Sequence, residues 1–237
     1  MQKTSSRDPV FGDFVRLVAT APAGEIARLL TASAGFATFS LEEGATRQRA
    51  TDFFLADICH YVYAGDTALH VAAAAFRRPV AELLIGHGAD VRARNRRGAE
   101  PLHYAADANH PDPAAQAATI EYLTSVGADP DAVDGSGVAA LHRAVRTRSL
   151  AAVRALLDAG ADPRQPNRSG STPLHLAVQP TGRGGSGSDG AHQQQIAILR
   201  LLLERGAKLT DRDGKGKDVF RAAIGDSIRR VLAAAAG

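Results

Sequence analysis

Gly170-Ser171-Thr172-Pro173-Leu174-His175 is the stretch whose reading decides the fold. Thr172 can cap a helix through its hydroxyl, and Pro173 then takes the first turn, where its missing N–H leaves no bond unmade. A helix therefore starts here. The skeleton Gly-x-x-x-Leu-His recurs at Gly65 to His70, Gly98 to His103 and Gly137 to His142. Each copy leads, at variable distance, to Gly-Ala-Asp or a near variant: Gly88-Ala89-Asp90, Gly127-Ala128-Asp129, Gly160-Ala161-Asp162 and Gly206-Ala207-Lys208. The opening glycines, continued to Gly216, stand 33, 39, 33 and 46 residues apart. One 33-residue unit with two insertions accounts for every interval.

Small pairs follow each histidine (Ala72-Ala73, Ala105-Ala106, Ala144-Val145, Ala177-Val178) and permit close helix approach. A second helix then shows apolar residues at helical spacing, as in Val153, Leu156 and Leu157 or Ile198, Leu199, Leu201 and Leu202. Gly160 and its equivalents supply the left-handed residue that ends it.

A helix, a turn, an antiparallel helix and a β-turn, opened by Thr-Pro-Leu-His and closed by Gly-Ala-Asp, resembles the ankyrin-repeat family. The resemblance covers residues 65–215 and implies an all-α, right-handed ankyrin-repeat solenoid. Four repeats are expected at 65–97, 98–136, 137–169 and 170–215. A C-terminal capping repeat follows at 216–237, with Asp218 as cap and a last helix over Ser227 to Ala236. Residues 1–64 are expected to form a divergent helical N-terminal cap, with amphipathic helices over Phe11 to Ala19 and Glu25 to Ala32. Single copies depart from the family pattern: Ala68 stands for Pro, Glu100 for Thr, and Ala139-Ala140 for both. Those departures weaken individual caps, and stacking between neighbours is expected to compensate. As a whole the chain looks similar to standalone bacterial ankyrin-repeat proteins.

Composition agrees. Of 237 residues 45% are hydrophobic, enough for a sizeable core, while aromatics are 5% and Trp is absent, which favours helices packed through small side chains. Net charge is +3 with a pI near 9.3, too modest to imply nucleic-acid binding by itself. Of 28 basic residues all but Lys3, Lys208, Lys215 and Lys217 are Arg. The single Cys59 cannot form an intrachain disulfide, and within Leu55 to His60 it reads as a buried, inert thiol on an apolar helical segment. Asp13 and Arg16 interrupt what would be the apolar core of a signal peptide, and no run approaches the ~20 apolar residues of a membrane span. A cytoplasmic, monomeric protein is expected, and the Asn167-Arg168-Ser169 sequon is then an accident of spacing.

The two insertions fall around His110 to Ala115 and around Gly182 to Gly190, between first and second helices. Gly182-Arg183-Gly184-Gly185-Ser186-Gly187 matches G-x-G-x-x-G formally, but a helix precedes it where the phosphate fingerprint needs a strand, so it reads as a linker. His70, His103, His142 and His175 share one repeat position and lie a repeat apart, which excludes a shared metal. By the resemblance, this imidazole ties neighbouring turns together. No catalytic constellation is legible, so no enzyme, cofactor or metal is expected.

The resemblance places recognition on hairpin tips and the ends of inner helices. The candidate partner-binding residues are Arg94, Arg96, Arg97 and Ala99 at the first tip, Val138 at the second, Arg168 and Ser171 at the third, Asp107, Arg146 and Thr147 late in inner helices, and Arg183 in the Gly-rich loop. Arg212, Lys215 and Lys217 mark a fourth tip. A stripe built from Arg92, Arg94, Arg96, Arg97, Arg143, Arg146, Arg148 and Arg168 would suit an acidic or phosphorylated segment of a partner protein. The plainer reading of the same stripe is a solvated face paired with Asp and Glu. Two further readings stay open: a basic solenoid for nucleic acid, against which Tyr61, Tyr63, Tyr104 and Tyr122 are not interleaved with the arginines, and a secreted effector acting on host proteins.

Overall fold

The structure is a computed structural model that describes residues 9–107, 112–180 and 189–236. The chain divides into two compact units. The first runs to Ala105 and includes the stretch ending at Asp129, and the second comprises the short piece starting at Ala106 together with Pro130 onward.

In the first unit, helices α1 (Pro9–Thr20) and α2 (Ala23–Ala32) precede two hairpins, α3 (Ala68–Ala74) with α4 (Arg78–Gly86) and α5 (Pro101–Ala105) with α6 (Pro113–Ser125). All seven residues of α3 are buried, which is possible because alanines let α1, α4 and α5 pack close against it. Phe14 of α1 stacks with Phe36 at 4.8 Å between ring centroids, and Phe11 lies tilted against the same ring at 6.1 Å. The Arg77 guanidinium donates to the Val18 carbonyl at 2.9 Å and to that of Ala21, satisfying acceptors that the end of α1 leaves open.

Residues 33–64 differ from the helical cap expected of them. They hold short 3₁₀ turns and a two-residue antiparallel pair, β1 (Phe54–Leu55) with β2 (His60–Tyr61). The Leu55 to His60 stretch is thus no α-helix. Cys59 sits in the turn at φ 47° and is exposed, which corrects the buried thiol read from its apolar neighbours. The apolar residues there alternate in a turn instead: Leu55 and Ile58 point inward and Cys59 points out.

The second unit holds α7 (Ala140–Arg146) with α8 (Leu150–Asp158), α9 (Pro173–Ala177) with α10 (Asp189–Glu204), and α11 (Val219–Ala222) with α12 (Asp226–Ala236). Val153, Leu156, Ile198, Leu199, Leu201 and Leu202 are all buried, as their helical spacing predicts. Gly160 ends α8 at φ 92°. Asp218 caps α11 by accepting from the Arg221 N–H at 2.8 Å.

The repeated histidines carry the hairpins' internal bonding. The backbone N–H groups of Thr67, Glu100, Ala139 and Thr172 donate to Nδ1 of His70, His103, His142 and His175, at 3.1, 3.1, 3.2 and 3.3 Å. Because an N–H only donates, each Nδ1 is bare and the ring proton is on Nε2. That proton reaches the next turn: His70 Nε2 donates to Ala99 O at 3.1 Å, His142 to Ser171 O at 3.3 Å and His175 to Lys217 O at 3.2 Å. Burial holds the His142 imidazole below its usual range, against the opposing hydrogen bond to Ser171. Glutamines do the matching work at the far end of two inner helices. Gln116 Nε2 donates to Ala105 O at 2.8 Å, and Gln195 Nε2 to Ala177 O at 2.7 Å.

Candidate functional site

Each hairpin tip is organised by one Asx side chain. Oδ1 of Asn95 accepts from the N–H of Arg97 and Ala99 at 2.8 and 3.0 Å, and that of Asp134 from Ser136 and Val138 at 2.8 and 3.1 Å. Asn167 Oδ1 accepts from Ser169 and Ser171 at 2.9 and 3.1 Å, and Asp213 Oδ1 from Lys215 and Lys217, both at 2.9 Å. The signal was present in the sequence as an Asn or Asp three residues before Gly98, Gly137, Gly170 and Gly216, and reading only the glycines missed it. The residues between the Asx and the glycine are therefore held on a defined backbone with their side chains outward.

At the first tip the arginines are exposed but engaged. Arg94 Nε donates to Gly98 O at 3.1 Å and lies 3.9 Å from a Glu100 carboxylate oxygen. Arg96 and Arg97 stack on Tyr63, at 5.7 and 4.7 Å from the ring centroid, and Arg96 also donates to the Ala45 carbonyl. Arg92 Nε donates to Gly127 O at 2.8 Å. The aromatic and basic residues are thus interleaved in space although not in sequence, since the segment before Gly65 folds onto the tip. Arg78 likewise covers Tyr122 at 5.6 Å. These guanidinium groups occupy ring faces that a nucleobase would need.

Several of the other candidates turn inward. Ala99 is 1% exposed, its carbonyl held by His70, so its methyl offers a partner nothing. Asp107 is buried and accepts from Arg143 Nη1 at 3.0 Å, while Arg143 Nη2 donates to Asp134 at 2.9 Å. Arg143 is itself buried, so it drops out of the basic stripe and joins a carboxylate–guanidinium–carboxylate triad. Burial alone would push the Asp134 carboxyl up, but Arg143 and the N–H groups of Ser136 and Val138 hold it below its usual range. Thr147 is half-buried and its hydroxyl donates to Arg143 O at 3.0 Å. Val138 and Ser171 are half-buried, whereas Arg146 and Arg168 are exposed. Arg183 and the surrounding G-x-G-x-x-G stretch, like His110, lie outside the described residues.

The second unit contains a groove of about 370 Å³ beside its last tip. Ser169, Ser171, Gln179, Asp213, Lys215, Lys217 and Arg221 line it together with the apolar Ala222 and Ile224. Ser171 among these belongs to the candidate partner-binding set, and Lys215 and Lys217 to the fourth tip named beside it. The groove combines two tips with the ends of α9 and α11, a juxtaposition that sequence spacing alone does not reveal. Among the described residues no group of three or more His, Cys, Asp or Glu side chains is placed to hold a metal ion, and no helix is long and apolar enough to cross a membrane.

The hairpins with histidine-bonded starts and Asx-organised tips define a class of protein built from repeated recognition units. A family model described as ankyrin repeats matches residues 43–115 and 113–213, well over half of the chain, and the protein belongs to that family. It is also similar to protein phosphatase 1 regulatory subunit 27 of Homo sapiens and of Mus musculus, at 38% identity over 73 residues in both cases. Those residues are 31% of this chain, and the match spans 44% of the length of either relative.

Proposed function

We propose that the protein is a non-catalytic, cytoplasmic recognition module that binds a partner protein through its hairpin tips and inner-helix ends. The observation that carries this reading is the set of four tips, each fixed by an Asx side chain that directs exposed polar residues outward. A rigid backbone with variable outward side chains lowers the ordering cost of association. The similarity to phosphatase regulatory subunits supports a binding role and makes a protein phosphatase 1 catalytic subunit the first purified partner to try.

The exposed cations favour an acidic or phosphorylated segment as the partner's contact. The pairing of Arg94, Arg96 and Arg97 with the chain's own groups weakens the first tip as its main contact. Crosslinked affinity purification with the full chain tests the reading, run beside an Arg94→Ala/Arg96→Ala/Arg97→Ala variant. A specific protein recovered by the wild type supports it, and loss of that protein with the variant would restore the first tip as the contact. Recovery of nucleic acid alone, with binding that falls steeply as salt is raised, would overturn it.

A further inference from the structure

We infer that the groove at the fourth tip is a docking site for an extended acidic segment of a partner protein, with Lys215, Lys217 and Arg221 taking its carboxylates and Ala222 and Ile224 an apolar residue beside them. This rests on the recognition reading above and deepens it by moving the contact from the first tip to the last. The charge balance is the first argument. Among the described residues three cations line the groove against one carboxylate, Asp213, whose Oδ1 already accepts the N–H groups of Lys215 and Lys217. Among the described residues no ion pair holds Lys215, Lys217 or Arg221, whereas Arg164 and Arg205 of the same unit pair with Asp211 and Asp158, both at 2.7 Å. Nearby Asp218 is engaged with the Arg221 backbone N–H, and Arg212 turns to Gly216 O at 3.3 Å.

The groove is also a built one. Gly214 N donates to Ser169 O at 2.9 Å, so the third and fourth tips are joined backbone to backbone. A Cβ on Gly170 would come within 2.4 Å of Gly214 N, and one on Gly214 within 2.5 Å of Ser169 O, so only glycines allow that approach. Below them His175 Nε2 holds the Lys217 carbonyl at 3.2 Å, and Gln179 Nε2 donates to Ala222 O at 2.7 Å. These bonds fix the backbone that carries the cations while their side chains stay in solvent.

The shape and lining favour a peptide. The volume is at the low end for ligand sites, enough for a few side chains rather than a domain surface. Ile224 is 55% exposed at the edge, where it would shield a bound apolar residue. Among the described residues no aromatic ring lines the groove to stack a base. Two lysines supply point charges and Arg221 a planar fork, a set suited to successive Asp or Glu side chains.

The test is a fluorescence-anisotropy titration of the full chain with a labelled synthetic peptide, acetyl-Gly-Glu-Glu-Leu-Asp-Glu-Gly-amide. Its Gln/Asn counterpart and a single-stranded oligothymidylate of equal charge serve as controls. The Lys215→Ala/Lys217→Ala/Arg221→Ala variant, checked for unchanged helix content, is expected to bind the acidic peptide about tenfold more weakly, the sum of three solvent-exposed charge pairs. The Arg94→Ala/Arg96→Ala/Arg97→Ala variant is expected to stay within twofold of wild type, and the Gln/Asn peptide to lose binding. Equal binding by the groove variant and wild type, or no binding of the acidic peptide, overturns the groove assignment while leaving partner capture by the full chain as the separate test of the recognition reading. Tighter binding of the oligothymidylate, lost in the groove variant, overturns it in favour of nucleic acid.

Discussion

Replacing Arg143 with Met should be among the most damaging single changes in the second unit. The Arg143 side chain is 10% exposed, and its two carboxylate partners, Asp107 and Asp134, are 12% and 9% exposed at 3.0 and 2.9 Å. Methionine fills much of the same volume but removes the cation, leaving two buried carboxylates close together. Breaking a buried pair from one side costs about 3–5 kcal/mol, a large part of the ~5–15 kcal/mol that holds a typical domain folded. Asp134 keeps the N–H groups of Ser136 and Val138, so the cost should fall toward the lower end of that range. In urea, at an m-value of about 3 kcal/mol/M, the midpoint would drop by about 1 M. Unfolding should be followed by helical circular dichroism, with hydrogen exchange to show that protection is lost from residue 130 onward. Adding Asp107→Leu to Arg143→Met should recover part of the loss, because a well-packed apolar replacement of a buried charge pair is often neutral. A single variant that loses less than about 1 kcal/mol would refute the reasoning, since it would mean that water reaches these carboxylates.

Three other outcomes follow from the same structure. Glu100 occupies a cap position, is 5% exposed and leaves Oε2 without a hydrogen bond, and burial raises its pKa. Its folded form therefore holds the proton more tightly, so its own contribution to stability is present below about 4.5 and is lost as pH rises above that value; Glu100→Thr should remove that component of the pH dependence and add ~1 kcal/mol at neutral pH, read by urea melts at several pH values. His142 behaves oppositely: its depressed folded pKa means that its contribution is intact above about 6.5 and is lost as pH falls below that value, so a His142→Gln variant should be less stable at pH 7 yet show a shallower acid slope. An unchanged slope would sink that assignment. Gly170→Ala should destabilise by ~1–2 kcal/mol for its left-handed φ of 73° alone, with more from the clash at Gly214, and should weaken peptide binding at the groove even where thermal melting shows the chain folded.

The repeat itself was written in the sequence, because each unit solves the same local problem with the same residues: a capped helix start, small residues on the packed side and a glycine at the end. Local bonds set those features, so Pro173 at the helix start, Asp218 and Gly160 could be read directly and stand as expected, whereas Thr172 takes the cap position with its hydroxyl on His175 Nδ1 at 2.8 Å in place of a backbone N–H. What the spacing could not give was the environment of a side chain. Arg143 and Arg146 lie three residues apart on one helix, yet one is buried between two aspartates and the other is exposed, because folding brings Asp107, 36 residues away, and Asp134 of the adjoining tip onto the same guanidinium. The sequence left Arg96 and Arg97 open between free cations and a paired face, and the segment before Gly65 sets Tyr63 against them. Cys59 looked buried because its neighbours are apolar, and a tight turn put it outside. The groove at Lys215, Lys217 and Arg221 exists only because Gly170 and Gly214 let two tips, more than forty residues apart in the chain, touch backbone to backbone. Periodicity and caps are short-range and survive in one dimension; burial, charge pairing and concavity depend on which distant segments meet, and only the tertiary structure decides that.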